Sequence, residues 1–178
     1  MKEFLKKIKL IEHLKTDIEI QKTEFVSKFR QQGDEGSTGI FSDTFDVFSS
    51  SKNEYKGQVG YEGFKIKRRR KFFDMNMNLA VASGTYRQNN EKLIIETEIN
   101  GFSGMMIPFY LFAIVFYSIF IGAFFMADNI EGNGDGFALP FIFIHAAFMF
   151  GIPYFMMRRS TKRMKHELER EFYYMTKK

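Results

Sequence analysis

Two stretches of the chain interrupt an otherwise mixed pattern of apolar and polar positions. Residues 105–127 (MMIPFYLFAIVFYSIFIGAFFMA) and 137–157 (FALPFIFIHAAFMFGIPYFMM) contain no Lys, Arg, Asp or Glu. About 20 apolar residues in a helix cross the roughly 30 Å hydrocarbon core of a bilayer, so the pattern predicts a transmembrane helical hairpin over 104–157. Pro108 and Pro140 fall in the first turns of their helices, where a missing N–H costs little. Pro153 near the end of the second span is expected to kink or loosen the last turn. The link 128–136 (DNIEGNGDG) is polar, acidic and rich in Gly.

Before the spans, residues 1–103 alternate on shorter periods and predict an α+β domain. Phe4, Ile8, Ile11 and Leu14 follow a helical stripe with Lys on the other faces. Asp17–Ile20 reads as a short strand, and Thr23 as the cap of a brief helix carrying Phe25, Val26 and Phe29. Gln32–Gly39 reads as a loop, and the alternation at Phe45 and Val47 as β-like. Tyr55–Val59 and Phe64–Arg68 flank a turn at Gly60–Gly63, while Leu79–Tyr86 and Lys92–Ile99 flank Gln88–Asn90. Leu93, Ile95 and Ile99 point one way and Glu96 and Glu98 the other, the signature of a half-buried antiparallel strand. The expectation is an antiparallel meander of about five strands covered by one or two helices.

After the spans, residues 158–178 predict a basic amphipathic helix continuing the second span. Its apolar stripe is Met164, Leu168, Phe172 and Met175. Arg163 with Glu167, and Lys165 with Glu169, form opposite-charge pairs four residues apart. The stripe is expected to pack on the β domain or on another copy, with a lipid surface as the alternative. Together these segments describe an α+β membrane protein: meander, transmembrane hairpin and C-terminal amphipathic helix.

Composition sharpens this picture only where it is resolved along the chain. A mean hydropathy of −0.24 averages over a polar first hundred residues and an apolar stretch. Of the net charge of +5, the excess sits in 158–178, with eight Lys/Arg against three Glu, while 128–136 has three acids and no base. Lys and Arg concentrate on the cytoplasmic side of membrane spans, which predicts both termini in the cytoplasm and the short link outside. The run 1–14 (MKEFLKKIKLIEHL) has no continuous apolar core for a signal peptide, so the first domain is expected to stay on the side where it is made.

The absence of Cys excludes disulfides and Cys-ligated metals. The three His residues (His13, His145, His166) show no ligand spacing. No Gly-x-Ser-x-Gly elbow and no phosphate-cradling glycine loop occurs, and Asp43, Asp46 and Asp74 are dispersed. Neither an enzyme nor a cofactor is expected. Residues 131–136 echo the start of a Ca²⁺ loop, but the position owed to its final carboxylate is Ile142.

Three groups of residues remain as candidates. Lys65, Lys67, Arg69 and Lys71 share one face of a predicted strand and, with Arg158, Arg159 and Lys162, suit contact with anionic lipid headgroups; the alternative is a solvated strand face paired with acids. The basic run has no interleaved aromatic residues, so nucleic acid is not expected as a partner. His145 lies in the middle of the second span, where an ionisable group suggests a proton relay or haem ligation with a second subunit. The alternative is a neutral imidazole bonded to Ser118, Tyr117 or a backbone carbonyl. Ser118 with Gly122, and Ala147 with Gly151, place small residues at helix-packing spacing and are expected to meet. The series Phe109, Phe112, Phe116, Phe120 and Phe124 would then face lipid or a partner.

The order Tyr55-Lys56-Gly57, then Phe64-Lys65-Ile66 with Arg68 and Arg70, the pair Phe72 and Phe73, then Ala80, Ala82 and Gly84 and a strand entering two spans resembles a loose group of uncharacterised bacterial inner-membrane proteins. The resemblance covers roughly 54–126 and departs from the group at Asp74–Asn78, where a more apolar, Pro-containing run is usual. It implies a multi-pass protein of the bacterial inner membrane and no activity. The functional expectation is a non-catalytic membrane-anchored subunit that assembles with itself or a larger membrane complex. An oligomeric channel or transporter using His145, and anionic-lipid sensing through 65–71, are the alternatives.

Overall fold

The computed structural model describes residues 1–38, 53–69, 78–131 and 138–177, with side chains at all of these except 127–131, 138 and 139. The chain divides into two compact units, one of Met1–Phe102 with Met156–Lys178, the other Ser103–Phe155. The expected strand at Phe45 and Val47, and the acidic run 132–136, lie outside the described residues.

The first unit is α+β. Among the described residues its elements are α1 (Lys2–Lys7), β1 (Ile11–Glu19), α2 (Lys22–Gln31), β2 (Gly33–Glu35), β3 (Tyr55–Val59), β4 (Gly63–Arg68), β5 (Val81–Asn89) and β6 (Lys92–Asn100). The six strands form one sheet in the order β1-β6-β5-β4-β3-β2. β3 to β6 make the expected meander, but β2 pairs parallel to β3, so the sheet is mixed. β5 and β6 close on a two-residue turn in which Asn90 adopts φ 53, a left-handed conformation that Asn tolerates. In β3, Gly57 has φ 145, and a Cβ there would fall 2.8 Å from Ile66 Cα, so only glycine fits.

The N-terminal stretch departs from the sequence reading. The helix stops at Lys7, and Lys9 turns the chain with φ 58. Ile11–Glu19 then pairs with β6 over its whole length, Ile11 opposite Asn100 and Glu19 opposite Lys92. Nine cross-strand pairs outweigh the local helical stripe, which would leave Phe4 with nothing to cover; Phe4 is in fact 62 % exposed. The N-cap of α2 is Gln21, with no side-chain cap bond, so Thr23 lies inside the helix and does not cap it. The expected loop after Gln32 contains β2.

One face of the sheet carries the core. Leu14 and Ile18 of β1, Leu93, Ile95 and Ile99 of β6, Ala82 and Tyr86 of β5, and Phe64 and Ile66 of β4 are buried there. α2 adds Phe25, Val26 and Phe29, and the tail adds Met164, Leu168, Phe172 and Met175. The rings of Phe25, Phe29, Phe64 and Phe172 meet edge-on or tilted with centroids 5.1–6.2 Å apart. Such pairs add about 0.5–1.5 kcal/mol each beyond area burial. The tail stripe thus belongs to the core of the sheet unit.

A tight junction ties three distant segments of this unit. Gly101 N–H donates to the Leu10 carbonyl at 2.8 Å. A Cβ at Gly101 would press on the Met157 carbonyl at 2.8 Å and on Thr161, whose hydroxyl donates to Met157 O at 3.0 Å. Glycine is needed here for the closeness of the approach.

The second unit holds α3 (Met106–Glu131) and the first part of α4 (Ala138–Thr176), a single helix that continues through Pro153. Both helices are long and apolar enough to cross a membrane. Only 11 % of the most apolar stretch of each is buried, unlike the core helix of a soluble domain.

Candidate functional site

The basic run 65–69 begins on β4, whose alternation sends Phe64, Ile66 and Arg68 to the core face. Lys65 is exposed on the opposite face, but Lys67 is only 1 % exposed. Lys67 lies directly across from Lys56 of β3, which is 2 % exposed. The outer face is therefore closed to solvent at this point, and Lys67 cannot offer its ammonium to a headgroup. Arg69 is held by Asp34 at 2.7 Å. Arg70 and Lys71 lie outside the described residues. Beyond the second span Arg159 and Lys162 are exposed and Arg158 half-buried.

On the core face, Arg68 meets the tail. Its guanidinium donates to Glu167 Oε1, which also accepts from Arg163 Nε at 2.9 Å. The side chains of Arg68 and Glu167 are 14 % and 13 % exposed. Two cations thus share one carboxylate in a poorly solvated place, where removing one partner is costly. One turn earlier, Ser160 Oγ accepts the backbone N–H groups of Leu79 and Ala80, both at 2.9 Å, and so caps the approach to β5. The cavity among Arg68, Asn78, Ser160 and Glu167 holds about 10 Å³, no more than a water molecule needs. The arrangement is a structural latch. Sequence spacing reveals its Arg163–Glu167 half; Arg68 and Ser160 join only through the fold. The second expected pair is corrected: Lys165 bonds Glu12 of β1 at 3.1 Å, and Glu169 faces His166 at 3.4 Å.

Tyr55 and Tyr86 also face this core, and neither hydroxyl has a partner among the described residues. Burial pushes both phenols well above their ordinary range. For Tyr55 the carboxylates of Glu167 and Glu171 add to the effect.

The outer face of the sheet forms an open groove of about 420 Å³ near His13, Lys15, Ser83, Thr85, Glu96 and Glu98. Its charges are paired at the surface, Lys15 with Glu96 at 3.8 Å and Lys2 with Glu98 at 3.2 Å. Exposed pairs of this kind contribute little and fix no ligand geometry. Among the described residues no three His, Asp or Glu side chains come together to hold a metal ion.

In the helical unit two of the three polar candidates come together. Tyr117 OH and His145 Nδ1 are 2.5 Å apart, which selects Tyr117 from the three partners expected for the imidazole. Tyr117 is buried, as is Ala113 one turn before it, whereas His145 sits at the surface of its helix. Phe141 stacks parallel to the imidazole, 6.3 Å away. Tyr110 stacks on Phe150 at 5.6 Å, and Tyr117 lies 6.1 Å from the same ring.

Aromatic side chains therefore make the contact expected of the small residues. Ser118 is exposed and donates to its own helix, at Ile114 O, 2.8 Å. A Cβ on Gly122 would meet nothing within 4 Å, and Ala147 is exposed. Near Gly151 the added atom would touch only Phe155, of the same helix. The two small faces do not meet, because the rings of Tyr110, Tyr117 and Phe150 occupy the space between the helices. Phe112, Phe116 and Phe120 are exposed as expected, with Phe109 and Phe124 half-buried. No family model matches the chain, and neither a curated protein nor a solved structure is significantly similar to it.

Proposed function

We propose that the protein is a non-catalytic, membrane-anchored subunit that works by assembly, with itself or within a larger membrane complex. In this reading α3 and the apolar part of α4 cross the bilayer as a hairpin, and the sheet unit lies with both termini on the cytoplasmic side. The observation that carries it is the composition of the first compact unit: it takes in the chain before Ser103 and the chain after Phe155. Segments that share one folded core must lie on one side of any membrane, so the chain between them has to go out and come back. The exposed Leu111, Phe112, Ile119, Phe141 and Phe148 then face acyl chains instead of water. Arg158, Arg159 and Lys162 follow the second span, where basic residues mark the cytoplasmic side and suit anionic headgroups. The bacterial inner membrane is the site that the resemblance implies.

The engaged state of Lys67 and Arg69 weighs against lipid sensing through the 65–71 run. The Tyr117–His145 bond gives the imidazole a structural partner and lessens the case for a conduction pathway.

The chain has no native Cys, so single cysteines report topology cleanly. Glu91→Cys, in the exposed turn between β5 and β6, and Lys177→Cys should both react with a membrane-impermeant maleimide in inverted inner-membrane vesicles and stay silent in intact spheroplasts. Labelling of either from outside, or release of the protein by carbonate, would refute the reading.

A further inference from the structure

The Tyr117–His145 pair holds one hydrogen too many. A neutral imidazole and a phenol carry two polar hydrogens between them, and only one can lie in the 2.5 Å contact. The tautomer in which Tyr117 donates to Nδ1 puts the other hydrogen on Nε2, the far edge of a ring at the helix surface. The reverse tautomer would strand the hydrogen of the buried phenol, so the first is favoured. No acceptor for it occurs among the described residues. In water this edge would be solvated. In a bilayer it faces acyl chains, which accept nothing, so the pair is incomplete in the setting proposed above.

The same helical unit displays a matching acceptor. Ser118 spends its hydroxyl hydrogen on Ile114 O, which leaves the oxygen able to accept, and the side chain is exposed. It follows Tyr117 in sequence, so its Cα lies about 1.5 Å along the helix axis from that of the residue whose hydroxyl bonds His145. Rotation about an axis along the bilayer normal moves every atom at constant depth. Donor and acceptor at one depth are therefore what such a symmetric pair of copies needs. One turn on from Ser118, the open space around Gly122 admits a second helix close to the backbone.

We infer that two copies of this chain pair within the membrane, His145 Nε2–H of each donating to Ser118 Oγ of the other about a twofold axis along the bilayer normal. The inference rests on the membrane reading and specifies its partner as a second copy. A pair of this kind satisfies both imidazoles at once.

The test is energy transfer between full-length copies, dye-labelled at the N-terminus and reconstituted in vesicles at a series of protein-to-lipid ratios. Wild type should associate. His145→Leu and Ser118→Ala should each weaken association roughly tenfold, as loss of intramembrane hydrogen bonds does. The decisive arm mixes the two variants. Each homomeric pair has lost both bonds, but a mixed pair keeps one, from His145 of the Ser118→Ala copy to Ser118 of the His145→Leu copy. In an equimolar mixture the mixed pairs should therefore clearly exceed the half of all pairs that random pairing gives, a preference that misfolding of one variant cannot produce. Monomeric wild type, variants that associate like wild type, or a mixture without heteromeric preference would overturn the inference. Carbonate-resistant protein that stays monomeric sinks this inference alone, whereas carbonate release sinks the membrane reading itself.

Discussion

The same side chain meets opposite fates in the two units. Phe25, Phe29 and Phe172 are no more than 1 % exposed, while Phe112, Phe141 and Phe155 are 70, 68 and 63 % exposed. In the sheet unit, phenylalanine is removed from contact with solvent by protein: two helices close over one face of a sheet. In the helical unit most of the described aromatic surface is left bare, and Tyr110, Tyr117, His145 and Phe150 make the contact between the helices. The contrast is the one expected if the two parts answer to different solvents, as the proposed membrane reading has it. A large ring drives packing only where its surroundings are worse for it than other protein atoms are.

That contrast can be broken by substitution, and the largest effects belong to the sheet unit. Phe172→Ala should destabilise it by about 3–5 kcal/mol, because it leaves a cavity among the rings of Phe25, Phe29 and Phe64. Glu167→Ala, which leaves Arg68 and Arg163 facing each other without their carboxylate, should cost a similar amount, about 3–5 kcal/mol. Both are measured by denaturant unfolding of the detergent-solubilised protein, followed by near-ultraviolet circular dichroism. A loss below 1 kcal/mol in either variant would mean that the tail does not close the core. Ser160→Ala, which strips the acceptor from two backbone amides, should cost about 1–3 kcal/mol in the same assay.

A further loss is confined to alkaline solution. Tyr55 and Tyr86 are held neutral by burial, so their folded values lie above the unfolded value of about 10. The unfolded chain then releases protons that the folded chain keeps, and stability must fall as pH rises past about 10. Below that pH both states are protonated and the two groups add no pH dependence. Replacing both residues by Phe should flatten the alkaline limb of a stability–pH curve; an unchanged slope would show that the phenols are not the cause. The smallest effect is expected from Phe112→Ala, within about 0.5 kcal/mol in the unfolding of the sheet unit. A large loss there would erase the distinction between the two units.

The elements that could be read from sequence are those whose periodicity and partner are both local. The hairpins β3–β4 and β5–β6 are flanked by their own turns, and Leu93, Ile95 and Ile99 alternate with Glu96 and Glu98 as written. The apolar stretches of α3 and α4 are set by length and composition alone. β1 was legible only as a fragment, because the residues that turn 11–19 into a strand lie some eighty positions away in β6. β2 was invisible for the same reason, being three polar residues stabilised by a parallel neighbour. At the candidate site, His145 stood out as the lone ionisable group of its span, with Tyr117 among its possible partners. The failure of the small-residue faces to meet was not legible, since it depends on which rings fill the space between helices. Nor was the burial of Lys67, which strand alternation by itself places at a surface.

The junction at Gly101 has a consequence for the order in which the protein can be made. It brings together Leu10, Gly101 and Thr161, segments that leave the ribosome early, midway and late. Met164, Leu168, Phe172 and Met175, which seal Phe25 and Phe29, emerge later still. Until residues 156–178 have been synthesised, the nascent sheet therefore carries an apolar face that α2 covers only in part, the kind of surface that chaperones hold and aggregates recruit. A chain arrested at Phe155 would contain every strand described above and all but the last two residues of the apolar stretches, yet have no closed core.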